Sequence, residues 1–109
     1  MPIEALPTIA EGTAIAKPVR TREVLGAIRR SGGAAVSVAE EEIVEAMNDL
    51  ATSGLYVEPT SASAAAALGG LLRRGVIRPD ETTVVVLTGA GLKATQRIGE
   101  LMGVLPTSA

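Results

Sequence analysis

The most constraining feature of the sequence is an uninterrupted apolar run near its end, where residues 84–87 read Val-Val-Val-Leu. Runs of β-branched residues favour strands, and a run without polar alternation predicts burial on both faces, as in a parallel sheet covered by helices. Gly89-Ala90-Gly91 follows and predicts a sharp turn into a last helix over residues 92–102. We expect the strand itself to span residues 82–88, within an α/β fold.

Three earlier segments show helical periodicity, and each ends near a glycine. They cover residues 21–30, 40–53 and about 60–74, and the glycines that follow are Gly32, Gly54 and Gly75. Thr21 is the expected N-cap of the first helix, and Thr60 or Ser61 that of the third. Short β-prone runs lie between the helices at residues 34–38 and 55–58. Because helices and strands alternate, we expect a small three-layer sandwich, with a short, mostly parallel sheet covered by helices.

The domain organisation follows from the length and from the placement of proline. Pro2, Pro7 and Pro18 fall within residues 1–20, which we interpret as an extended lead-in, and residues 21–109 form a single α/β domain. The core has to be aliphatic, because the chain has no Phe, no Trp and one Tyr. So small a domain is expected to be marginally stable, and to form a homo-oligomer or to pair with another chain.

Charge and composition exclude several classes of function. The net charge is −2 and aromatic residues make up 1% of the chain, which argues against nucleic-acid binding. There is no Cys and no His, which excludes thiol nucleophiles, disulfides and imidazole-based catalysis or metal binding. The sequence shows neither a long apolar run nor a signal-like segment, so we expect a cytoplasmic protein without a membrane segment.

The glycines after the apolar run admit two interpretations. Together with Ala94 they match the G-x-G-x-x-A pattern of dinucleotide-binding turns, where glycines let backbone amides approach a pyrophosphate. That pattern needs a second strand ending in an acidic residue about 20 positions later, and Glu100 is the only acid that follows. The alternative is a tight turn that merely needs small residues.

Polar residues follow the β-prone run 55–58, at Glu58, Thr60 and Ser61. A carboxylate at the carboxyl end of a strand, next to hydroxyls at the start of a helix, lies where α/β sheets bind ligands. The alternative is that the hydroxyls only cap the helix. A separate group of glutamates, at positions 40, 41, 42 and 45, is interpreted as a solvated face near a helix N-terminus rather than a metal site.

Taken together, the two segments resemble the C-terminal part of threonine synthase, a family of pyridoxal-phosphate-dependent enzymes. The resemblance rests on EPTSA at residues 58–62 and on VVVLTGAGLK at residues 84–93. Further similarity occurs at residues 8–16, in the prolines and basic residues up to Arg22, and at residues 32–36 and 40–43. It covers about residues 7–93 in the family's order and spacing, whereas residues 95–109 depart from the pattern.

The resemblance implies a cofactor site for pyridoxal phosphate. In that site Thr88 offers its hydroxyl to the pyridine nitrogen, Glu58 lies beside the ring, and Gly89 and Gly91 let the backbone approach it. A neutral hydroxyl donor favours an unprotonated ring nitrogen. The family converts O-phosphohomoserine and water into threonine and phosphate. The resemblance therefore predicts that Glu58 and Thr88 converge in space.

The resemblance also implies which parts of the enzyme are missing. The family's Schiff-base lysine and glycine-rich phosphate loop lie upstream of the matched part, and neither Lys17 nor Lys93 matches that lysine. We therefore expect a C-terminal segment of a threonine synthase-like lyase, inactive alone, whose remaining cofactor wall comes from a partner chain. The alternative is a non-catalytic module that lacks the cofactor, keeps the fold, and binds a small ligand or oligomerises.

Overall fold

The computed structural model describes residues 3–107, and the secondary structure of this part is helical. Four α-helices and two short 3₁₀ helices follow one another along it. In chain order they are a 3₁₀ helix at Glu11–Thr13, α1 (Thr21–Ser31), α2 (Glu40–Thr52), α3 (Pro59–Arg73), a 3₁₀ helix at Gly91–Ala94 and α4 (Thr95–Leu101). The helices predicted for the first three segments are present within one or two residues of their predicted bounds.

The ends of α1 show why it forms, although the predicted N-cap is wrong. Arg20 occupies the N-cap position, and Thr21 is the first helical residue, with its hydroxyl donating to the Pro18 carbonyl at 2.8 Å. Gly32 ends the helix in the left-handed conformation, at φ +67°, which glycine adopts without steric cost. No residue of α1 is buried, so its apolar stripe remains partly open to solvent.

The core lies between α2 and α3, which contact each other more extensively than any other pair of elements in the described chain. Its buried members on helices are Ile43, Met47, Ala62, Ala66 and Ile98, and Ala10 and Val57 join them from outside the α-helices. Alanines on α3 allow the larger side chains of α2 to approach its backbone, which is how an aliphatic core reaches native packing density.

Part of the lead-in packs onto this helix pair. Ala10 is only 3% exposed, and the Gly12 amide donates to the Thr60 hydroxyl at 3.1 Å. The Ile9 amide donates to the Glu40 carboxylate at 2.8 Å, and the Thr8 hydroxyl donates to the other carboxylate oxygen. Hydrogen bonds and burial therefore hold residues 8–12 against α2 and α3. Pro2, the first of the three prolines, lies outside the described residues, and the division at residue 21 stays a prediction.

The predicted parallel sheet does not appear in residues 3–107, because no β-strand is formed there. The runs 34–38, 55–58 and 82–88 have no neighbouring strand in the structure, and a strand exists only through pairing. The one ladder contact within the described part is an antiparallel bridge between Val57 and Ala90. The last predicted helix is also divided, since a 3₁₀ turn precedes α4.

The apolar run 84–87 is half open rather than buried on both faces. Val84 and Val86 are 82% and 68% exposed, whereas Val85 and Leu87 are half-buried against the protein. Exposure that alternates with a period of two is typical of an extended segment with one covered face. Thr88 continues the exposed side, so the open face of the run ends at this hydroxyl. We call Val84, Val86 and Thr88 the open face.

Candidate functional site

The antiparallel bridge brings the two motifs of the sequence together. The Glu58 amide donates to the Gly89 carbonyl at 3.2 Å, and the Gly91 amide donates to the Tyr56 carbonyl at 3.0 Å. Residues 56–58 then enter α3, while residues 89–91 enter the second 3₁₀ helix. The four residues predicted for the cofactor site, Glu58, Thr88, Gly89 and Gly91, are thus neighbours, and the expected convergence of Glu58 and Thr88 is present.

Side chains on the facing segment occupy the space beside both glycines. A Cβ atom on Gly89 would overlap the carboxylate of Glu58, and one on Gly91 would lie 2.7 Å from the Tyr56 ring. Neither glycine has a positive φ, so the reason for glycine is space rather than backbone conformation. The open side of each glycine is thus filled by Glu58 and Tyr56 in this structure, and close approach of a ligand to the glycine backbone stays a prediction.

A hydroxyl pair links the two motifs beneath the bridge. The Ser61 hydroxyl oxygen accepts the Gly89 amide proton at 2.6 Å and lies 3.2 Å from the Thr88 hydroxyl oxygen. Ser61 is 1% exposed, whereas Thr88 is exposed. One hydroxyl of the pair therefore lies in the protein interior, and the other belongs to a residue of the open face.

The prediction that Thr60 or Ser61 caps α3 is wrong. Pro59 is the first helical residue and Glu58 holds the N-cap position, without a side-chain capping bond. Proline is favoured at the first helical position, where its missing amide proton costs nothing. Both hydroxyls are consequently inside the first turn, where Thr60 accepts the Gly12 amide and Ser61 accepts that of Gly89.

A shallow groove of about 190 Å³ lies beside the bridge. It is lined mainly by the lead-in, the start of α3 and the start of α4, including Glu11, Glu58, Thr60 and Arg97. The Arg97 guanidinium donates to the Glu100 carboxylate at 3.3 Å. Lys93 lies in an adjoining groove with Arg97 and Glu100.

The glutamates of α2 are used for structure. Hydrogen bonds from the Ile9 amide and the Thr8 hydroxyl, together with attraction from Arg97, hold the pKa of the Glu40 carboxyl below its ordinary value. Glu42 accepts the Ala39 amide at 2.7 Å, which stabilises the start of the helix. In residues 3–107 no group of three or more acidic side chains is placed to hold a metal ion.

The site can present a hydrogen-bond donor at the surface. Thr88 has one hydroxyl proton and is exposed, and the polar groups around it, Ser61 and the Gly89 amide, are already bonded to each other. A neutral hydroxyl in this position suits a heteroaromatic nitrogen with a free lone pair. This single donor fits the contact to the ring nitrogen of pyridoxal phosphate that the resemblance implies for Thr88.

Sequence reasoning missed the roles of two residues of this site. The sequence pattern places Tyr56 in a β-prone run, yet its ring fills the space beside Gly91 and its hydroxyl donates to Thr95 at 3.2 Å. The pattern predicts Ser61 as a helix cap or as a ligand-site hydroxyl, whereas its oxygen accepts the Gly89 amide proton. Pro59 is the signal against the cap, since a proline at the first helical position moves the N-cap back to Glu58.

The membrane and family comparisons complete the description. None of the helices in the described chain is both long and apolar enough to cross a membrane. The sequence profile of the family described as "Pyridoxal-phosphate dependent enzyme", whose fold is α/β, matches residues 1–89.

Relatives with assigned functions point to one branch of this family. The threonine synthase of Methanosarcina acetivorans is 46% identical over 98 residues, which are 89% of this chain and 24% of that protein. The threonine synthase of Methanocaldococcus jannaschii is 49% identical over 87 residues, 79% of this chain and 22% of the relative. Threonine synthase 2, chloroplastic, of Arabidopsis thaliana is 35% identical over 95 residues, 87% of this chain and 18% of the relative. The chain spans about a quarter of the length of the relatives it matches best among these.

Proposed function

This chain belongs to the pyridoxal-phosphate dependent enzyme family, and from that premise we propose that it is a threonine synthase-like segment that forms one wall of the cofactor site. The reaction proposed for the complete enzyme is the conversion of O-phosphohomoserine and water into threonine and phosphate. The observation that carries the proposal is the convergence of Glu58, Thr88 and Gly89 at one bridge.

Thr88 is proposed to hold the cofactor by its ring nitrogen. The bound cofactor supplies an electron sink for carbanion chemistry, and a hydroxyl partner keeps the ring nitrogen unprotonated, which moderates that sink. Glu58 is half-buried, and its side chain lies against Gly89, the residue that follows Thr88. It is proposed to border the cofactor ring there.

We propose that the isolated chain is inactive and that the rest of the cofactor site comes from another polypeptide or from further sequence. Neither Lys17 nor Lys93 belongs to the cluster formed by Glu58, Ser61, Thr88 and Gly89. The segment that carries the open face, residues 84–88, is proposed to become a strand of the family's sheet. It would do so when a strand from another polypeptide or from further sequence pairs with it.

The experiment is a titration of the purified chain with pyridoxal phosphate. Tyr56 is the chain's single aromatic residue, and its ring lies at the bridge, so quenching of its fluorescence reports binding at this site. The matched variants are Thr88→Val, which removes the proposed donor, and Ser63→Ala, which removes a hydroxyl of α3 that donates to the Thr60 carbonyl at 2.6 Å.

We expect saturable quenching for the unaltered chain and for Ser63→Ala, and weaker binding for Thr88→Val. Equal binding by all three proteins would contradict the assignment of Thr88. Absence of quenching even after addition of a complementary upstream segment of a related threonine synthase would contradict the proposed cofactor wall. An active complex in that mixture would support both the cofactor wall and the proposed inactivity of the chain alone.

A second candidate function is a homo-oligomerisation module, and the open face favours it. Val84 and Val86 expose apolar side chains next to backbone groups that have no strand neighbour in residues 3–107, and an unpaired edge of this kind pairs readily with a second copy. Sedimentation of the chain and of Val86→Asp measures their oligomeric states and tests whether the chain self-associates through the open face. Val19→Asp is the control, since Val19 is 98% exposed and lies outside the open face.

A further inference from the structure

We infer that Ser61 is a positioning residue, whose buried hydroxyl holds the Thr88 hydroxyl in one rotamer and directs its proton out of the protein. The inference rests on the proposed function only for the identity of the acceptor, the ring nitrogen of pyridoxal phosphate. The arrangement of the two hydroxyls is a property of the chain itself.

The direction of the hydrogen bond follows from what each hydroxyl can reach. Ser61 accepts the Gly89 amide proton at 2.6 Å and has a single proton of its own to donate. Within the described residues the partner within reach of that proton is the Thr88 oxygen, at 3.2 Å. If Thr88 were the donor instead, Ser61 would accept twice and leave its own proton without an acceptor.

Burial decides between the two directions. Ser61 is 1% exposed, so water does not compensate an unbonded proton there, and leaving a buried donor unpaired is unfavourable. Thr88 is exposed, so its proton finds water or a ligand. In the favoured arrangement the Gly89 amide therefore donates to Ser61, and Ser61 donates to Thr88. Thr88 in turn donates to a group outside the protein.

This order has a chemical consequence for the ligand. A Thr88 oxygen that already accepts from Ser61 is a better donor, because consecutive hydrogen bonds polarise one another. Its partner has to be an acceptor such as an unprotonated ring nitrogen, whereas a protonated nitrogen would meet a second donor. Ser61 thereby favours the unprotonated form of the ring without touching it.

The first test needs no cofactor. Three-bond couplings from the Thr88 methyl carbon to its backbone nitrogen and carbonyl carbon report whether this side chain occupies one rotamer. We expect a single rotamer in the unaltered chain and in Ser63→Ala, and averaged couplings in Ser61→Ala. Averaged couplings in the unaltered chain would overturn the inference, and so would a fixed Thr88 in a folded Ser61→Ala. If Ser61→Ala does not fold, averaged couplings in the unaltered chain would still overturn the inference.

The second test compares pyridoxal phosphate with its 1-deaza analogue, in which a carbon replaces the ring nitrogen. One hydrogen bond to the nitrogen predicts that the unaltered chain and Ser63→Ala prefer the natural cofactor by about tenfold. We expect the preference to disappear in Thr88→Val and to fall severalfold in Ser61→Ala. An undiminished preference in Ser61→Ala would overturn the inference and leave the proposed function intact. Failure of both compounds to bind would count against the proposed function, while the couplings still decide the role of Ser61.

Discussion

The amide of Gly89 donates to the hydroxyl oxygen of Ser61 at 2.6 Å, across 28 positions of sequence. This bond ties the first turn of α3 to the segment that carries Thr88, and it lies directly below the bridge between Val57 and Ala90. The hydroxyl proposed to contact the cofactor is thus linked to a buried one. The predictions below test the parts of this arrangement and the helix pair that supports it.

Removing the Thr88 hydroxyl should weaken cofactor binding without unfolding the chain. Thr88→Val keeps the shape of the side chain but removes the acceptor of the buried Ser61 hydroxyl proton, so we expect the chain to fold with a loss of about 1–3 kcal/mol in the free energy of unfolding. Loss of one hydrogen bond should weaken pyridoxal phosphate binding about tenfold. Fluorescence titration measures the binding and urea denaturation the stability. A variant that binds normally would remove Thr88 from the site.

The glycine at position 91 should not tolerate a methyl group. Gly91→Ala places a Cβ atom 2.7 Å from the Tyr56 ring, and we expect it to destabilise the fold by about 1–3 kcal/mol. Gly70→Ala is the matched control, because that position is inside α3 and its nearest neighbour is an arginine tip at 3.9 Å. There the substitution should stabilise by about 0.5–1 kcal/mol. Equal effects in urea denaturation would contradict the close packing at Gly91.

Glu40 should make stability depend on acid pH. The Ile9 amide, the Thr8 hydroxyl and Arg97 lower the pKa of its carboxyl in the folded chain below the ordinary value of 4.5. The stabilisation is therefore complete above about pH 4.5 and is lost as the pH falls through the lower, folded pKa. Glu40→Gln should flatten this part of the stability profile.

Glu41→Gln is the control for Glu40, because Glu41 is an exposed neighbour on the same turn. Melting temperatures between pH 3 and pH 7 measure both variants. A pH profile of Glu40→Gln that follows the unaltered chain would show that the bonds to residues 8 and 9 contribute nothing to the fold.

Met47 should be the most costly single truncation in α2. It is 2% exposed at the centre of the core between α2 and α3, and Met47→Ala leaves a cavity there. We expect a loss of about 2–4 kcal/mol, against less than about 0.5 kcal/mol for the exposed Val19→Ala. Urea denaturation followed by far-ultraviolet circular dichroism measures both. Similar losses at the two positions would contradict the described core.

Helices were predictable from this sequence because their signals are local. The stripe that includes Ile43 and Met47, with Gly54 beyond it, predicts α2 without reference to the rest of the chain. Strand pairing is not local, and run 82–88 meets no neighbouring strand in residues 3–107. The place of Glu58 at the end of a β-prone run indicates a ligand site, the family resemblance adds Thr88, and the structure brings the two residues together. The bond from Gly89 to Ser61 was not predictable, because it joins residues 28 positions apart and a serine near a helix start is usually a cap.

The open face has a consequence for how the cofactor and the proposed partner chain would influence each other. Thr88 is exposed, and water that reaches its hydroxyl competes for the proton and screens the dipole. A polypeptide laid over Val84 and Val86 would exclude that water and strengthen the bond to a ring nitrogen. By thermodynamic linkage, the cofactor would then tighten the hold of the covering chain by the same factor. Assembly and cofactor loading should therefore be cooperative, each occurring most readily in the presence of the other.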